Sequence, residues 1–186
     1  MLQVIQHTDA LDVSEEDIDE VWRVCEVKER LKFKMYGKDV TMRRRQAMFG
    51  DDYRFSGTTI PKEDKTPLLV QKALTFMNKF YGTPECTYNA CLATLYEAGD
   101  YIGEHRDNEK KHRSGAPVAS FSFGETRSLV IKKYRAKRKD DSFIHYKIPM
   151  PPNSATVMVG TGFQTILTHQ VKKGHGERLS LTVRAF

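Results

Sequence analysis

His105-Arg106-Asp107 sets an imidazole and a carboxylate two residues apart. On an extended chain, residues i and i+2 point to the same side, so both groups can face one ion. Two histidines and one carboxylate on one face of a divalent ion leave further positions open, a ligand set that suits non-heme iron. The third ligand must come from elsewhere, and His169, in the β-rich run Thr165-Ile-Leu-Thr-His169-Gln-Val171, can supply it. Three other histidines compete for the position. His112 follows the motif in a polar loop, His145 lies in an alternating strand (Phe143, His145, Lys147), and His175 sits in a Lys-Lys-Gly-His-Gly turn. Six His and twelve Asp predict about 0.4 H-x-D matches by chance, and the chain holds a second one, His7-Thr8-Asp9. That copy falls at an expected frayed end with no supporting strand and reads as a chance occurrence.

Nine residues after His169 begins Arg178-Leu-Ser-Leu-Thr-Val-Arg184. Two arginines six apart on a strand share a face, and arginine on a buried strand is costly unless paired. The planar guanidinium fork matches carboxylates, so a small ligand with two carboxylates, such as 2-oxoglutarate, answers both. Standing alone, the strand reads rather as an edge with solvated or salt-bridged arginines.

The elements that must position these groups fall in two zones. Ser14-Glu-Glu-Asp17 resembles a capping box, and Ile18, Val21, Trp22 and Cys25 follow at helical spacing, which predicts an amphipathic helix over about 14–30. Residues 32–45 read as a basic hairpin turning at Tyr36-Gly-Lys-Asp39. A second helix is predicted from about Thr66 to Tyr81, closed by Gly82. From residue 89 the runs NACLATLY, VASFSFG, RSLVIKKY, SFIHYKI, SATVMVG, TILTHQV and RLSLTVRAF are short and β-rich. The fold class is α+β, with N-terminal helices packed on one side of a sheet or sandwich. The run 132–141 reads as an exposed basic connection.

Composition excludes several classes. No stretch approaches ~18 consecutive apolar residues, so a membrane span is not expected. The start lacks a basic segment followed by an apolar run, so no signal peptide and an intracellular location, nucleus or cytoplasm, are expected. Three cysteines (Cys25, Cys86, Cys91) suit a reducing compartment better than a disulfide framework. The net charge is +6, but residues 1–30 hold nine acids and three bases, so the rest carries +12. An acidic leader on a basic body suits a polyanionic partner, most simply nucleic acid, or else a solvated lysine-rich surface.

Taken in order, Arg44-Arg-Gln46, Phe55-Ser-Gly57, Tyr101-Ile-Gly-Glu-His105-Arg-Asp107-Asn-Glu109, Pro117-Val-Ala-Ser-Phe-Ser-Phe-Gly124 with Arg127, and Arg178 to Arg184 resemble the AlkB family of Fe(II)/2-oxoglutarate dioxygenases. The resemblance covers roughly residues 35–186 and is densest with the animal branch that prefers double-stranded DNA. It implies a double-stranded β-helix (jelly-roll) core over 89–186, a nucleotide-recognition lid over 35–88, an acidic extension over 1–34, and a monomer. It implies His105, Asp107 and His169 as iron ligands, with the spacing from His169 to Arg178 fitting the family. Arg178 would meet the distal carboxylate of 2-oxoglutarate and Arg184 the chelating end. Tyr96 would contact the co-substrate, with Thr94 and Ser180 standing where relatives carry Asn. Asn108 replaces an acid. For substrate it implies Phe55 and Tyr53 as aromatic walls, Glu109 as acceptor from an exocyclic amine, Arg44 on the backbone, and Tyr36 as a wedge in the duplex. The activity so implied is oxidative demethylation of 1-methyladenine- and 3-methylcytosine-type bases in DNA or RNA, giving formaldehyde, succinate and CO2. Such a base must be flipped out or already single-stranded. The alternatives are a protein side-chain hydroxylase and a non-catalytic nucleic-acid-binding module.

Overall fold

A computed structural model of the chain describes residues 2–35, 37–55, 57–107, 111–133 and 144–186. Tyr36, Asn108, Glu109 and most of the basic run 132–141 lie outside the described residues, as do the side chains of Phe55 and His145.

Helix α1 spans Glu15–Glu26. Ser14 Oγ accepts from the Asp17 N–H at 3.2 Å, and Asp17 Oδ2 accepts from the Ser14 N–H at 3.0 Å. The capping box therefore satisfies two backbone donors at once. The helix ends four residues earlier than its acidic pattern suggests. The positions three and four beyond Cys25 are Lys28 and Glu29, which offer nothing to bury, and Lys28 turns away to Glu63 at 2.7 Å. Helix α2 spans Leu68–Tyr81 and buries Leu69, Val70, Ala73 and Met77. Gly82 does end it, but in extended conformation (φ −73°, ψ 151°) and not in a left-handed cap. Glycine is needed there for space: a Cβ would fall 2.5 Å from the carbonyl oxygen of Asn78.

The remaining elements are mostly strands: β1 (Gln3–His7), β2 (Lys32–Met35), β3 (Lys38–Thr41), β4 (Arg45–Phe49), β5 (Tyr53–Phe55), β6 (Thr58–Ile60), β7 (Ala90–Tyr96), β8 (Ile102–His105), β9 (Val118–Gly124), β10 (Arg127–Lys133), β11 (Ile144–Met150), β12 (Ser154–Val159), β13 (Leu167–Val171) and β14 (Arg178–Arg184). A six-stranded sheet runs β1-β12-β9-β14-β7-β4, a four-stranded sheet runs β11-β10-β13-β8, and β2-β3 and β5-β6 are separate hairpins. The large sheet is sandwiched. One face packs on α1 and α2 through Ala47, Phe49, Cys91, Ala93, Leu95, Phe121, Leu179, Leu181 and Val183. The other faces the small sheet, whose Leu129, Ile131 and Val171 meet Val118 and Met158. This is the jelly-roll core with helices on one side.

Two local readings are corrected. The N-terminus is not frayed: β1 pairs with β12 along five residues and forms an edge of the large sheet. Its His7 is structural, with Nε2 2.7 Å from the Tyr81 hydroxyl and its ring edge-on to Phe76. The run at 165–171 is also not all strand. Phe163–Ile166 form a helical turn, α3, because Gly162 takes a left-handed conformation (φ 87°) and its carbonyl accepts from Thr165 Oγ1 at 2.8 Å. Among the described residues no helix is long and apolar enough to cross a membrane.

Ser14→Ala should cost about 1 kcal/mol by removing the cap. Thermal unfolding should show this as a fall in Tm of about 2–4 °C, and an unchanged Tm would mean that α1 is held by packing alone.

Candidate active site

The two faces of each central strand differ in chemistry. On β14, Leu179, Leu181 and Val183 join the core under the helices, while Arg178, Ser180 and Arg184 on the opposite face are equally buried. On β9 the same alternation sets Phe121 and Phe123 against the helices and Ser120 and Ser122 inward. On β7 it sets Ala93 and Leu95 outward and Thr94 and Tyr96 inward. Period 2 here separates an oily interior from a polar one, with solvent on neither side.

That polar face lines a cavity of about 1180 Å³, which also receives His105, Asp107 and His169 from the small sheet. His105 ends β8 and His169 lies within β13, and their antiparallel register makes them direct partners. Their ring centroids are 4.3 Å apart. Asp107 follows two residues after His105, with Oδ2 3.2 Å from His169 Nε2 and Oδ1 3.9 Å from His105 Nε2. One donor atom from each of the three lies within 4.8 Å of the others.

The protonation states suit a cation. His105 Nδ1 lies 2.8 Å from the Gly103 carbonyl and donates to it, which leaves Nε2 as a lone pair aimed at Asp107. Burial, reinforced by the neighbouring His169, pulls the pKa of His105 down to about 3, so the ring is neutral. Burial opposes ionisation of Asp107, but the guanidinium of Arg184 and then His169 outweigh it and hold the carboxyl well below its usual range. Two imidazoles and one carboxylate are a donor set that fits a ferrous ion.

The other predicted residues separate into groups. Thr94, Tyr96, Ser180, Arg184, Tyr53 and Arg44 line the same cavity. Arg184 donates to Asp107 Oδ1 at 2.6 Å and lies over the ring of Tyr53 at 5.1 Å. Arg178 is fully buried behind Tyr96, whose ring it covers at 5.4 Å. Its Nε donates to Ser122 Oγ at 2.9 Å and Nη2 to Ser120 Oγ at 3.3 Å, and Nη1 has no partner. No carboxylate answers its charge among the described residues, and burial pulls its pKa down to about 10. Thr94 accepts from Gln46 Nε2 at 3.2 Å, and Ser180 meets Ser120 at 3.0 Å. His175 is exposed on its turn, where its N–H donates to Glu125. Phe55 closes β5, but its side chain, like Glu109 and Tyr36, lies outside what is described.

Sequence reasoning missed Ser120, Ser122, Gln46 and Gln164 as members of this site. The two serines were legible in principle, since they alternate with Phe121 and Phe123. Gln46 sits opposite Thr94 only through the β4–β7 register, and Gln164 carries no local signal.

Residues 10–184 match the family model described as the 2OG-Fe(II) oxygenase superfamily. The chain is similar to the DNA oxidative demethylase ALKBH2 of Homo sapiens, 30% identical over 161 residues that cover 82% of this chain and 60% of the relative. It is 35% identical to ALKBH2 of Mus musculus over 113 residues, 58% of this chain and 46% of that protein. It is 30% identical to the RNA demethylase ALKBH9B of Arabidopsis thaliana over 102 residues, 54% of this chain and 19% of that protein. The chain thus spans 60% or less of these relatives' length. The solved structure of OsALKBH1 has the same fold, with a TM-score of 0.62 at 18% identity over 97% of both chains.

Asp107→Ala removes the anion facing Arg184 in a buried pair. Such a loss should destabilise the metal-free protein by about 3–5 kcal/mol. Chemical denaturation should report it, and a loss under about 1 kcal/mol would show that the pair carries little of the stability of the site.

Proposed function

The chain belongs to the 2OG-Fe(II) oxygenase superfamily, which uses Fe(II) and 2-oxoglutarate, and on that footing we propose that it oxidatively demethylates N-alkylated bases of the 1-methyladenine and 3-methylcytosine type in DNA or RNA. One observation carries the reading. A buried donor triad lines one cavity whose wall also carries Arg43, Arg44, Arg54 and Lys111, and directly behind its Tyr96 lies a buried guanidinium, Arg178, that no carboxylate answers among the described residues.

His105, Asp107 and His169 hold the iron. Iron, when bound, couples the oxidative decarboxylation of 2-oxoglutarate by O2 to hydroxylation of an N-methyl group. Arg178 takes the distal carboxylate, and Ser120 and Ser122 orient its fork. A dianion restores charge balance where burial otherwise depresses the arginine. Tyr96 and the hydroxyls of Thr94 and Ser180 hold the co-substrate along the polar face. Arg184, already on Asp107, marks the metal end. The products are succinate, CO2 and a hydroxymethyl base, which releases formaldehyde and a proton and so regains the lone pair of its ring nitrogen.

A methyl group inside a duplex does not reach this cavity, so the base is flipped or already unpaired. Residues 35–88 act as the lid over the core at 89–186. Tyr53, already in the wall, and Phe55 flank the base, Glu109 accepts from its exocyclic amine, and Arg44 contacts the backbone. Tyr36, which falls between β2 and β3 in sequence, fills the gap left in the stack. Lys32, Lys34 and Lys38 on that hairpin hold phosphates beside it. The names of the relatives and the basic cavity mouth support nucleic acid over a protein side chain. Three free cysteines support a reducing compartment, nucleus or cytoplasm, where the chain works as a monomer.

Formaldehyde release from a matched panel of methylated DNA and RNA, single and double stranded, tests the reading, and no release from any member would overturn it. Arg178→Ala should raise the 2-oxoglutarate requirement at least ten-fold, given roughly 2–5 kcal/mol for a broken buried charge pair. An unchanged requirement would remove Arg178 from the site. Tyr36→Ala should depress turnover of duplex far more than of single strand, because only the duplex has a stack to refill. Equal losses on both would mean that Tyr36 is not a wedge.

A further inference from the structure

Asp107 has a backbone problem. The β8–β13 ladder ends at the pair His105–His169. Continued in the same register, it would set Asp107 opposite Leu167. There, however, β13 begins, and the chain before it has already turned into the short helix α3. The ladder stops short of Asp107 and does not take its N–H, although this residue must hold its carboxylate between two imidazoles.

A side chain takes it instead. Gln164, on α3, accepts from the Asp107 N–H through Oε1 at 3.0 Å. Its other end is held as well, because Nε2 donates to the sulfur of Met158 at 3.8 Å, inside the core between the sheets. A carboxamide anchored at both ends presents its oxygen at a fixed place. Gln164 is absent from the donor triad and from the cavity wall, so it acts only through Asp107.

We propose that Gln164 is a positioning residue of the metal site, one that fixes the backbone of Asp107 and ties the turn leading into the His169 strand to the His105–Asp107 segment. This rests on the iron-binding reading above. Two forces then act on the aspartate. Gln164 holds its main chain at 3.0 Å, and Arg184 pulls on its carboxylate at 2.6 Å. Without the first, the carboxylate is free to follow the guanidinium away from the imidazoles. Groups that orient metal ligands without touching the ion typically change affinity by about 10–100-fold when lost.

Titration of the metal-free full chain with Co(II), followed by visible absorption, tests this. Gln164→Ala should raise the Kd for Co(II) by about 10–100-fold, with the Tm of the metal-free protein within about 2 °C of the parent. Gln164→Glu keeps an oxygen for the Asp107 N–H and should restore most of the affinity. An unchanged Kd in Gln164→Ala, or a Glu variant as weak as the Ala variant, overturns the proposal. His169→Ala separates this failure from that of the underlying reading. If it binds Co(II) as well as the parent, the ion does not sit on the triad and both fall. If it does not bind while the parent does, the reading stands and the Gln164 comparison alone decides.

Discussion

A guanidinium taken out of water needs an answer to its charge, and the interior of this protein holds more guanidinium than carboxylate. Among the described residues Arg127, Arg178 and Arg184 are buried, against Asp100 and Asp107. Arg184 is neutralised by Asp107, and that pair in turn keeps the aspartate ionised with no metal beside it. Among the described residues Arg178 meets hydroxyls, a thioether and the face of Tyr96, and no carboxylate. Its charge is the unfilled half of an ion pair, built into the strand that carries it. A buried cation without a partner is costly, and the fold accommodates the cost by setting Tyr96, Ser120, Ser122 and Ser180 around it on the inner face of its larger sheet. An anionic ligand with a group at each end of that face would complete the charge balance.

Arg127 solves the same problem structurally. It donates to the carbonyls of Asp100, Glu97 and Gly176 and to the carboxylate of Glu125. The turns after β7, β9 and β13 are thereby tied to one planar group, whose face lies over Tyr96 at 5.2 Å. On the same rim Arg30 forms a two-pronged pair with Asp100 and reaches Glu97, which also takes Arg45 from β4. Networks of charge-assisted bonds hold geometry better than single surface pairs. Tyr96 and Arg178 stand at strand ends joined to this rim, so turns that would otherwise fray are fixed where the site needs them.

The helices give the large sheet a rigid back, and charge follows the same division. The acids of α1 lie on the helical layer, whereas Arg43, Arg44, Arg54 and Lys111 line the opening on the other side. A separation of charge of this kind orients a polyanion by its field before any contact forms.

The sequence by itself determined whatever depends on local period and residue chemistry. The capping box of α1, the face of α2, the hairpin at residues 32–41, and the shared faces of His105 with Asp107 and of Arg178 with Arg184 all follow from spacings of a few residues. It also carried the family, because the ordered motifs are far more specific together than any one alone. What it left open depends on register between distant strands. Polar alternation on β14 reads from sequence as an edge facing water, and only the second sheet closing over it makes that face an interior. Nothing near Gln3–His7 announces a strand, since its partner β12 lies some 150 residues away. Gln46 meets Thr94, and Gln164 meets Asp107, only because β4 pairs with β7 and α3 folds beneath β8. Residue types and local period are properties of a segment, whereas charge balance and hydrogen-bond completion in an interior are properties of the closed fold.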